Sequence, residues 1–558
     1  MFNIPNPYKM QTRTLILASL LAIGTFAPAQ VVHRYWVAFT DKVGTPCTIN
    51  NPSEYLSQRA LNRRVRMHIG IDSLDLPVNP AYIETLRQAG YTVWSVSKWL
   101  NGAVLYTSDS TGMVSTLRSM PFVASVEYYG QGSLQRGEVE EWFFGYPATA
   151  QPCDTLFGPD YYGLGHYNIN TLNGIPLHRA GYQGEGVLVG VCDVGFPGVD
   201  TLEAFATLRD EGRLVATRDF VYGGDHVFDV HSHGTRVLSN MAAYLPGIYV
   251  GTAPRASYIL CRTEDVGGES PLEEYFWAAA MEYLDSMGVD VVNTSLGYRY
   301  FDDSSRTYSP ATLDGHTAPM TRAANAASSR GILVVVAAGN EGYDPAPNIG
   351  VPADSPAALT VGAIDHEGLR ALFSSFGPTA DGRIKPDVMS PGESVWVVNP
   401  DGSVQQVNGT SFASPILAGL AACMLQHYPT LGPAAWCDSL RAWGSLATNP
   451  DNENGYGVPD MGLALLSDDD TADYSHIDAT EELQFQLFPN PVETEAIVVL
   501  PAGTYAATAT LYDALGRRRM HLHLNGERHR LDLGGLKAGV YVLHLTSPTG
   551  QQTLRLIH

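Results

Sequence analysis

The chain has 558 residues, 45% of them hydrophobic and 16% charged, with a formal charge of −23 at pH 7. That length exceeds one ordinary core and predicts two to four domains, with the apolar content of folded rather than disordered protein. The acidic excess argues against a nucleic-acid partner, because no surplus of Lys and Arg is present to neutralise phosphates.

At the N-terminus, Lys9 and Arg13 precede the apolar run Leu15 to Phe26, and Ala27-Pro28-Ala29 supplies small residues for cleavage before Gln30. This is the pattern of a secretory signal peptide over residues 1–29. The run is shorter than the ~20 apolar residues of a membrane span, and no later stretch qualifies as one. Export is predicted, with no transmembrane anchor beyond the signal. Six cysteines are widely spaced and form no metal-ligand signature. Cys192 and Cys261 lie in apolar, strand-like runs and read as small buried hydrophobes, whereas Cys423 and Cys437 could pair in an oxidising compartment.

Residues 30–135 alternate strand-like runs (Tyr35 to Phe39, Val93 to Val96, Ala103 to Tyr106, Val123 to Tyr128) with helical patterns (Pro52 to Met67, Asn79 to Ala89, Thr111 to Met120). That order predicts a small α+β unit. Arg59, Arg63, Arg64 and Arg66 make its first helix locally basic, which reads as a solvated face. Between residues 136 and 159 the pattern dissolves into Gly, Glu, Pro and Gln, the composition of an exposed linker that a protease can cut.

From 160 to 466 apolar strands alternate with helical stretches, predicting an α/β domain with a parallel sheet and helices on both faces. Val187 to Cys192 is a doubly buried type of strand ending in Asp193-Val-Gly195. A carboxylate there caps the following turn or orients a histidine. His231-Ser-His-Gly-Thr235 opens a helical run and puts His233 at its start; His231 reads as structural, and a metal site from the pair lacks a third ligand. Val289 to Leu296 is a further strand, ending Asn293-Thr-Ser-Leu-Gly297. Gly331 to Ala338 is another, stopping at Gly339-Asn340-Glu341-Gly342, where Asn340 fills a turn or offers an amide to a cleft. Ligands of open α/β sheets bind outside the carboxyl ends of the strands, where Asp193, Ser295 and Asn340 all fall. The Asn408-Gly-Thr-Ser-Phe-Ala-Ser-Pro415 stretch then leads into an apolar run, Ile416 to Leu425, that reads as a helix buried all round. Ser411 at its N-terminus is a cap or, in that electropositive setting, a nucleophile.

Together, Asp193-Val-Gly195, His233-Gly-Thr235, Ser295-Leu-Gly297, Ala337-Ala-Gly-Asn340 and Gly409-Thr-Ser-Phe-Ala-Ser-Pro415 resemble the subtilisin-like serine peptidases, in that family's chain order of Asp, His and Ser. The resemblance implies Ser411 as nucleophile, His233 as general base and Asp193 as the group that holds the imidazole. It implies Asn340 in the oxyanion hole, Ser295, Leu296 and Gly297 as the edge that pairs with an extended peptide, and Ala337, Ala338 and Gly339 as a wall of the side-chain pocket. Val194 departs from the family's usual Ser or Thr, and Arg236 from its frequent His, without removing a proton-transfer group. The function implied is a secreted serine endopeptidase that acts on proteins or peptides and needs no cofactor for chemistry. Structural calcium is common in the family but cannot be placed from the sequence. The 30–135 unit stands where the family carries an inhibitory propeptide. Glu341, beside Asn340, suggests a preference for basic side chains on the acyl side of the scissile bond.

After an acidic linker at 467–484, residues 485–558 read as short strands in a small β-sandwich. Phe488-Pro-Asn-Pro491, Leu511-Tyr-Asp-Ala-Leu-Gly516 and Leu536-Lys-Ala-Gly-Val-Tyr-Val542 resemble the C-terminal sorting domain of type IX secretion cargo. That resemblance implies the type IX machinery as a partner and passage across an outer membrane; a substrate-binding β-module is the alternative.

Overall fold

Seven strands of the central domain pair as one all-parallel sheet. They are β5 (Leu188–Asp193), β6 (Leu214–Asp219), β7 (Ser257–Arg262), β8 (Val291–Thr294), β9 (Leu333–Ala337), β10 (Leu359–Ile364) and β11 (Val388–Pro391), in the order β11-β10-β9-β8-β5-β7-β6. β5 is buried throughout, as expected of a strand covered on both faces. The chain leaves β5 towards β7 and β6, then returns to β8 on the other side. Asp193 and Ser295 therefore end up beside the point where strand order reverses, the usual place for a ligand crevice. In the computed structural model the described residues are 31–108, 112–133, 141, 145–146, 156–465 and, towards the C-terminus, 486–488, 492, 494–500, 506–513, 517–525, 528–537, 539–547 and 550–558. The expected signal peptide, the acidic linker, Cys153 and most of 136–159 lie outside them.

Helices cover both faces. The helix α4 (His233–Ala242) packs against α7 (Thr410–His427) within one core cluster; α5 (Leu272–Met287) and α6 (Pro319–Ser329) pack within a second on the opposite face. α7 is buried from Thr410 to Leu425, as its all-round apolar sequence predicts. Cys192 and Cys261 are neighbours across β5 and β7 and are buried free thiols. Cys423 and Cys437 are free as well, so the pairing open to them is not made; the Cys423 thiol donates to the Thr252 carbonyl at 3.2 Å.

The preceding unit is an antiparallel sheet, β2-β3-β1-β4, of β1 (Val31–Phe39), β2 (Thr92–Ser97), β3 (Gly102–Thr107) and β4 (Val123–Ser133). It carries helices α1 (Gln58–Arg66), α2 (Pro80–Gln88) and α3 (Met113–Ser119). This unit sits on α5. Trp36 stacks on Tyr275 with ring centroids 4.1 Å apart, and Glu282 accepts hydrogen bonds from Ser97 Oγ, Lys98 N and Trp99 N. The basic helix is not the solvated face expected. Arg63 and Arg64 are buried against Asp285 at 2.5 and 3.0 Å, Arg64 also reaches Asp75, and Arg59 and Arg66 pair with Asp290. Acidic partners some 220 residues downstream supply the reason, since burial of guanidinium is tolerable only when paired.

The C-terminal unit is described by itself. It has a three-stranded sheet of β14 (Gln486–Phe488), β15 (Glu495–Val499) and β18 (Arg528–Asp532). A four-stranded sheet is formed by β16 (Ala506–Asp513), β17 (Arg518–Asn525), β19 (Val540–Ser547) and β20 (Gly550–Ile557). Ala496, Val498, Leu511, Leu531, Leu543 and Leu545 join one core from both sheets, the alternation of a β-sandwich.

Candidate active site

Asp193 ends β5 with its side chain fully buried. Its Oδ1 accepts the Val194 N–H and His233 Nδ1–H, each at 2.8 Å. Oδ2 has no partner among the described residues, and Val194, standing where the family usually has a hydroxyl, offers none. His233 is the first residue of α4. It is brought to Asp193 by a contact between two backbones: a Cβ on Gly234 would lie 2.3 Å from the Gly195 carbonyl oxygen. Glycine is needed there for close approach. Below them Arg262, in register with Asp193 and buried, donates to the Val194 carbonyl at 2.9 Å and to Asp219 at 2.6 Å, and also pairs with Asp229. Arg262 thereby ties β5 to the loop that delivers His231 to His233.

Burial alone would hold His233 neutral, but the Asp193 carboxylate outweighs it and carries its pKa above the ordinary histidine value. His231 is held below that value by burial, against the opposing pull of Glu141. Its Nδ1 accepts the His233 backbone N–H at 3.2 Å, which puts its proton on Nε2. Glu264, half-buried beside this pair, is pushed up to about 8 by burial, reinforced by the charges of Asp193 and Glu269.

Ser411 is the second residue of α7, and the helix is capped by Gly409, not by Ser411. Gly409 has φ +153°, a conformation that suits glycine and turns the chain sharply into the helix. Ser411 is 9% exposed; its Oγ donates to the Ser295 carbonyl at 3.0 Å, and Ser295 Oγ donates back to the Ser411 carbonyl at 2.7 Å. Asn340 turns its Oδ1 to the Thr410 N–H at 2.9 Å. Its Nδ2 therefore has no partner among the described residues and is left to donate. Ser411, His233, Asn340, Ser295, Leu296, Gly297, Ala338 and Gly339 all line one cleft of about 540 Å³, with Asp193 behind His233. The structure thus brings the sequence-predicted residues together and pairs His233 with Asp193. The Ser411 hydroxyl is engaged with Ser295 rather than with His233.

Leu296 and Gly297 make no backbone hydrogen bond among the described residues, so their N–H and C=O groups form an open edge beside Ser411. Three contributors escaped the sequence reading. Arg262 had a signal, a charge closing an apolar strand; Glu264 followed it too closely to stand out. Glu141, whose carboxylate reaches Ser232 and His231, falls in a stretch whose composition reads only as linker.

Among the described residues no three His, Cys, Asp or Glu side chains could hold a metal ion together. Buried Asp387 is engaged by Lys385 and Arg441, and buried Asp354 by Thr321 and the Gly315 N–H. No helix of the described residues is long and apolar enough to cross a membrane.

Family models match three successive parts of the chain. These are a peptidase S8 propeptide domain of Bacteroidota type at 34–141, the subtilase family at 184–457 and a secretion system C-terminal sorting domain at 486–558. Subtilisin DY of Bacillus licheniformis is 34% identical over 293 residues, which are 51% of this chain and 94% of that protein. Subtilisin E of Bacillus subtilis (strain 168) is 35% identical over 314 residues, 56% of this chain and 73% of the relative. Subtilisin BL of Lederbergia lenta is 30% identical over 292 residues, 52% of this chain and 94% of the relative. The sorting domain marks a secreted or cell-surface protein. With a parallel-sheet domain, a histidine–aspartate pair facing a helix-borne serine, and relatives at least 30% identical matched over 73–94% of their length, the chain belongs to the subtilase family of serine endopeptidases.

Proposed function

We propose that Ser411 cleaves peptide bonds as the nucleophile of an Asp193–His233–Ser411 triad. The observation that carries this is the 2.8 Å Asp193–His233 contact in a cleft that Ser411 shares from a helix N-terminus. An extended substrate adds a strand along Ser295, Leu296 and Gly297, with its side chain before the scissile bond against Ala338 and Gly339. The Ser411 hydroxyl leaves the Ser295 carbonyl by a rotation about its own side chain and turns to His233 Nε2, a tightening that substrate binding commonly brings. Oγ then bonds to the carbonyl carbon while His233 takes the proton. Asp193 holds the ring with Nδ1–H directed at itself, leaving Nε2 as the base, and favours the imidazolium that forms. The oxyanion receives Asn340 Nδ2 and the Ser411 N–H, assisted by the α7 N-terminus. The C–N bond breaks as His233 returns the proton to the departing amine, and water repeats the cycle on the acyl-enzyme.

Residues 1–29 are proposed as an export signal, 30–135 as an inhibitory propeptide, 136–159 as the maturation segment, 160–466 as the catalytic domain and 485–558 as the cargo signal for type IX export across an outer membrane. Glu341 lines the cleft near Gly339 and is proposed to favour Lys or Arg before the scissile bond; Glu341→Gln should equalise Lys, Arg and Phe substrates. The test of the whole reading is intact mass over time for residues 30–558, beside Ser411→Ala. Wild type should trim itself between Gly130 and Asp160 and react with a fluorophosphonate, while the variant stays whole and unlabelled. Absence of both in wild type would leave only a non-catalytic scaffold.

A further inference from the structure

Next to the His233–Asp193 pair, the chain has placed one of its own carboxylates on Ser232, the residue before His233. The strand β13 (Val404–Val407) pairs with β12 (Val395–Val398) and runs straight into Asn408 and the nucleophile. The Val398 N–H donates to Ser239 Oγ of α4 at 3.1 Å and Arg236 Nε donates to Asn399 Oδ1 at 2.9 Å, so this hairpin and α4 flank the same side. Tyr146 joins β13 as an added antiparallel partner of Val404, with backbone hydrogen bonds of 2.8 and 3.0 Å in the two directions. Five residues earlier, Glu141 lies over the first turn of α4. Its Oε2 accepts the Ser232 N–H at 2.5 Å, its Oε1 accepts Ser232 Oγ at 2.7 Å, and His231 Nε2 stands 3.5 Å from Oε1. None of Glu141, Ser232 and Arg236 lines the acyl-side cleft, whose lining on this flank stops at His231 and His233.

The carboxylate is held by complementary chemistry. Ser232 is buried and gives both of its donors to it; the ten-residue helix α4 presents its positive end; and the His231 tautomer fixed by the His233 N–H turns an N–H towards it. Arg236, one turn along the same face, lies close enough for the Glu141 charge to oppose the fall that burial imposes on the guanidinium pKa. Tyr146 shows that β13, the strand leading to Ser411, accepts an added antiparallel partner, the mode by which an extended substrate's leaving half can be held.

We infer that His231, Ser232 and Arg236 form a subsite on the leaving-group side that recognises an acidic side chain within two residues after the scissile bond, and that Glu141 is its internal occupant. The substrate class is a peptide or protein with Asp or Glu just beyond the cleaved bond. This rests on the reading of Ser411 as nucleophile.

The experiment uses mature enzyme released from residues 30–558 and three peptides identical except for Glu, Gln or Lys directly after the cut, the bond being verified by mass. The Glu peptide should exceed the Lys peptide at least tenfold in kcat/KM, chiefly through KM. Arg236→Glu should invert that order, and Ser232→Ala should reduce the ratio towards one. Equal values for Glu and Lys peptides in wild type that labels normally with fluorophosphonate would overturn the subsite and leave the nucleophile standing. Wild type that neither labels nor cuts would overturn both.

Discussion

His233 works as a base only when neutral, yet Asp193 raises its pKa above the ordinary value. The sign follows: activity is present above that raised pKa and is lost as pH falls through it. Asp193→Asn removes the charge and the acceptor for the correct tautomer, so kcat should fall by about 10⁴ and the residual acid limb should move to lower pH. A pH series of kcat/KM on both proteins measures this; an unmoved acid limb would assign the titration to another group. Asn340→Ala removes one oxyanion donor and should lower kcat by about 10²–10³ with KM little changed, read by steady-state kinetics on a single peptide. These roles are legible in the sequence because Asp193 and Asn340 stand where apolar strands end, while His233 stands where a helix begins. The hydroxyl partner of Ser411 was not, since whether it faces Ser295 or His233 depends on a side-chain torsion that no pattern encodes.

Among the elements, the pairing of α1 with α5 decides how the N-terminal unit is held. Asp285 is buried and meets Arg63, Arg64 and Lys98, all from that unit. Asp285→Asn leaves two buried guanidinium groups short of a counter-charge, and breaking such a pair costs about 3–5 kcal/mol. Calorimetry should therefore find a lower Tm in the uncleaved Ser411→Ala protein, and a much smaller change in enzyme freed of residues 30–135. An equal fall in both would mean that Asp285 serves the catalytic domain alone. The strands and helices themselves were readable: Asn79 caps α2 through its side chain on the Ala81 N–H, as an Asn before Pro suggests. The burial of α1 was not readable, because a charge pattern cannot distinguish water from a distant carboxylate, and α5 looks like an ordinary core helix.

At the level of the whole molecule, the domain classes could be recognised from the order of their patterns, and the sorting domain from the motifs Phe488-Pro-Asn-Pro491, Leu511 to Gly516 and Leu536 to Val542. Glu141 could not, because contacts made across a composition-poor segment leave no periodic trace. Deleting residues 486–558 should leave fluorophosphonate labelling of the purified enzyme intact while the protein accumulates inside the cell envelope; fractionation with activity assays checks both. Loss of labelling would instead give the tail a part in folding.

On the proposal that residues 30–135 are cut away, the α5 lock has a sequel. Glu282, Asp285 and Asp290 lose Ser97, Lys98 and the four arginines together. The face that had been a seam becomes a strip of bare negative charge in water. Rebinding of the released piece is then a contest with dissolved ions, tight in dilute buffer and weak in brine. On that proposal, the salinity of the surroundings would set how long a freshly cut enzyme stays silent.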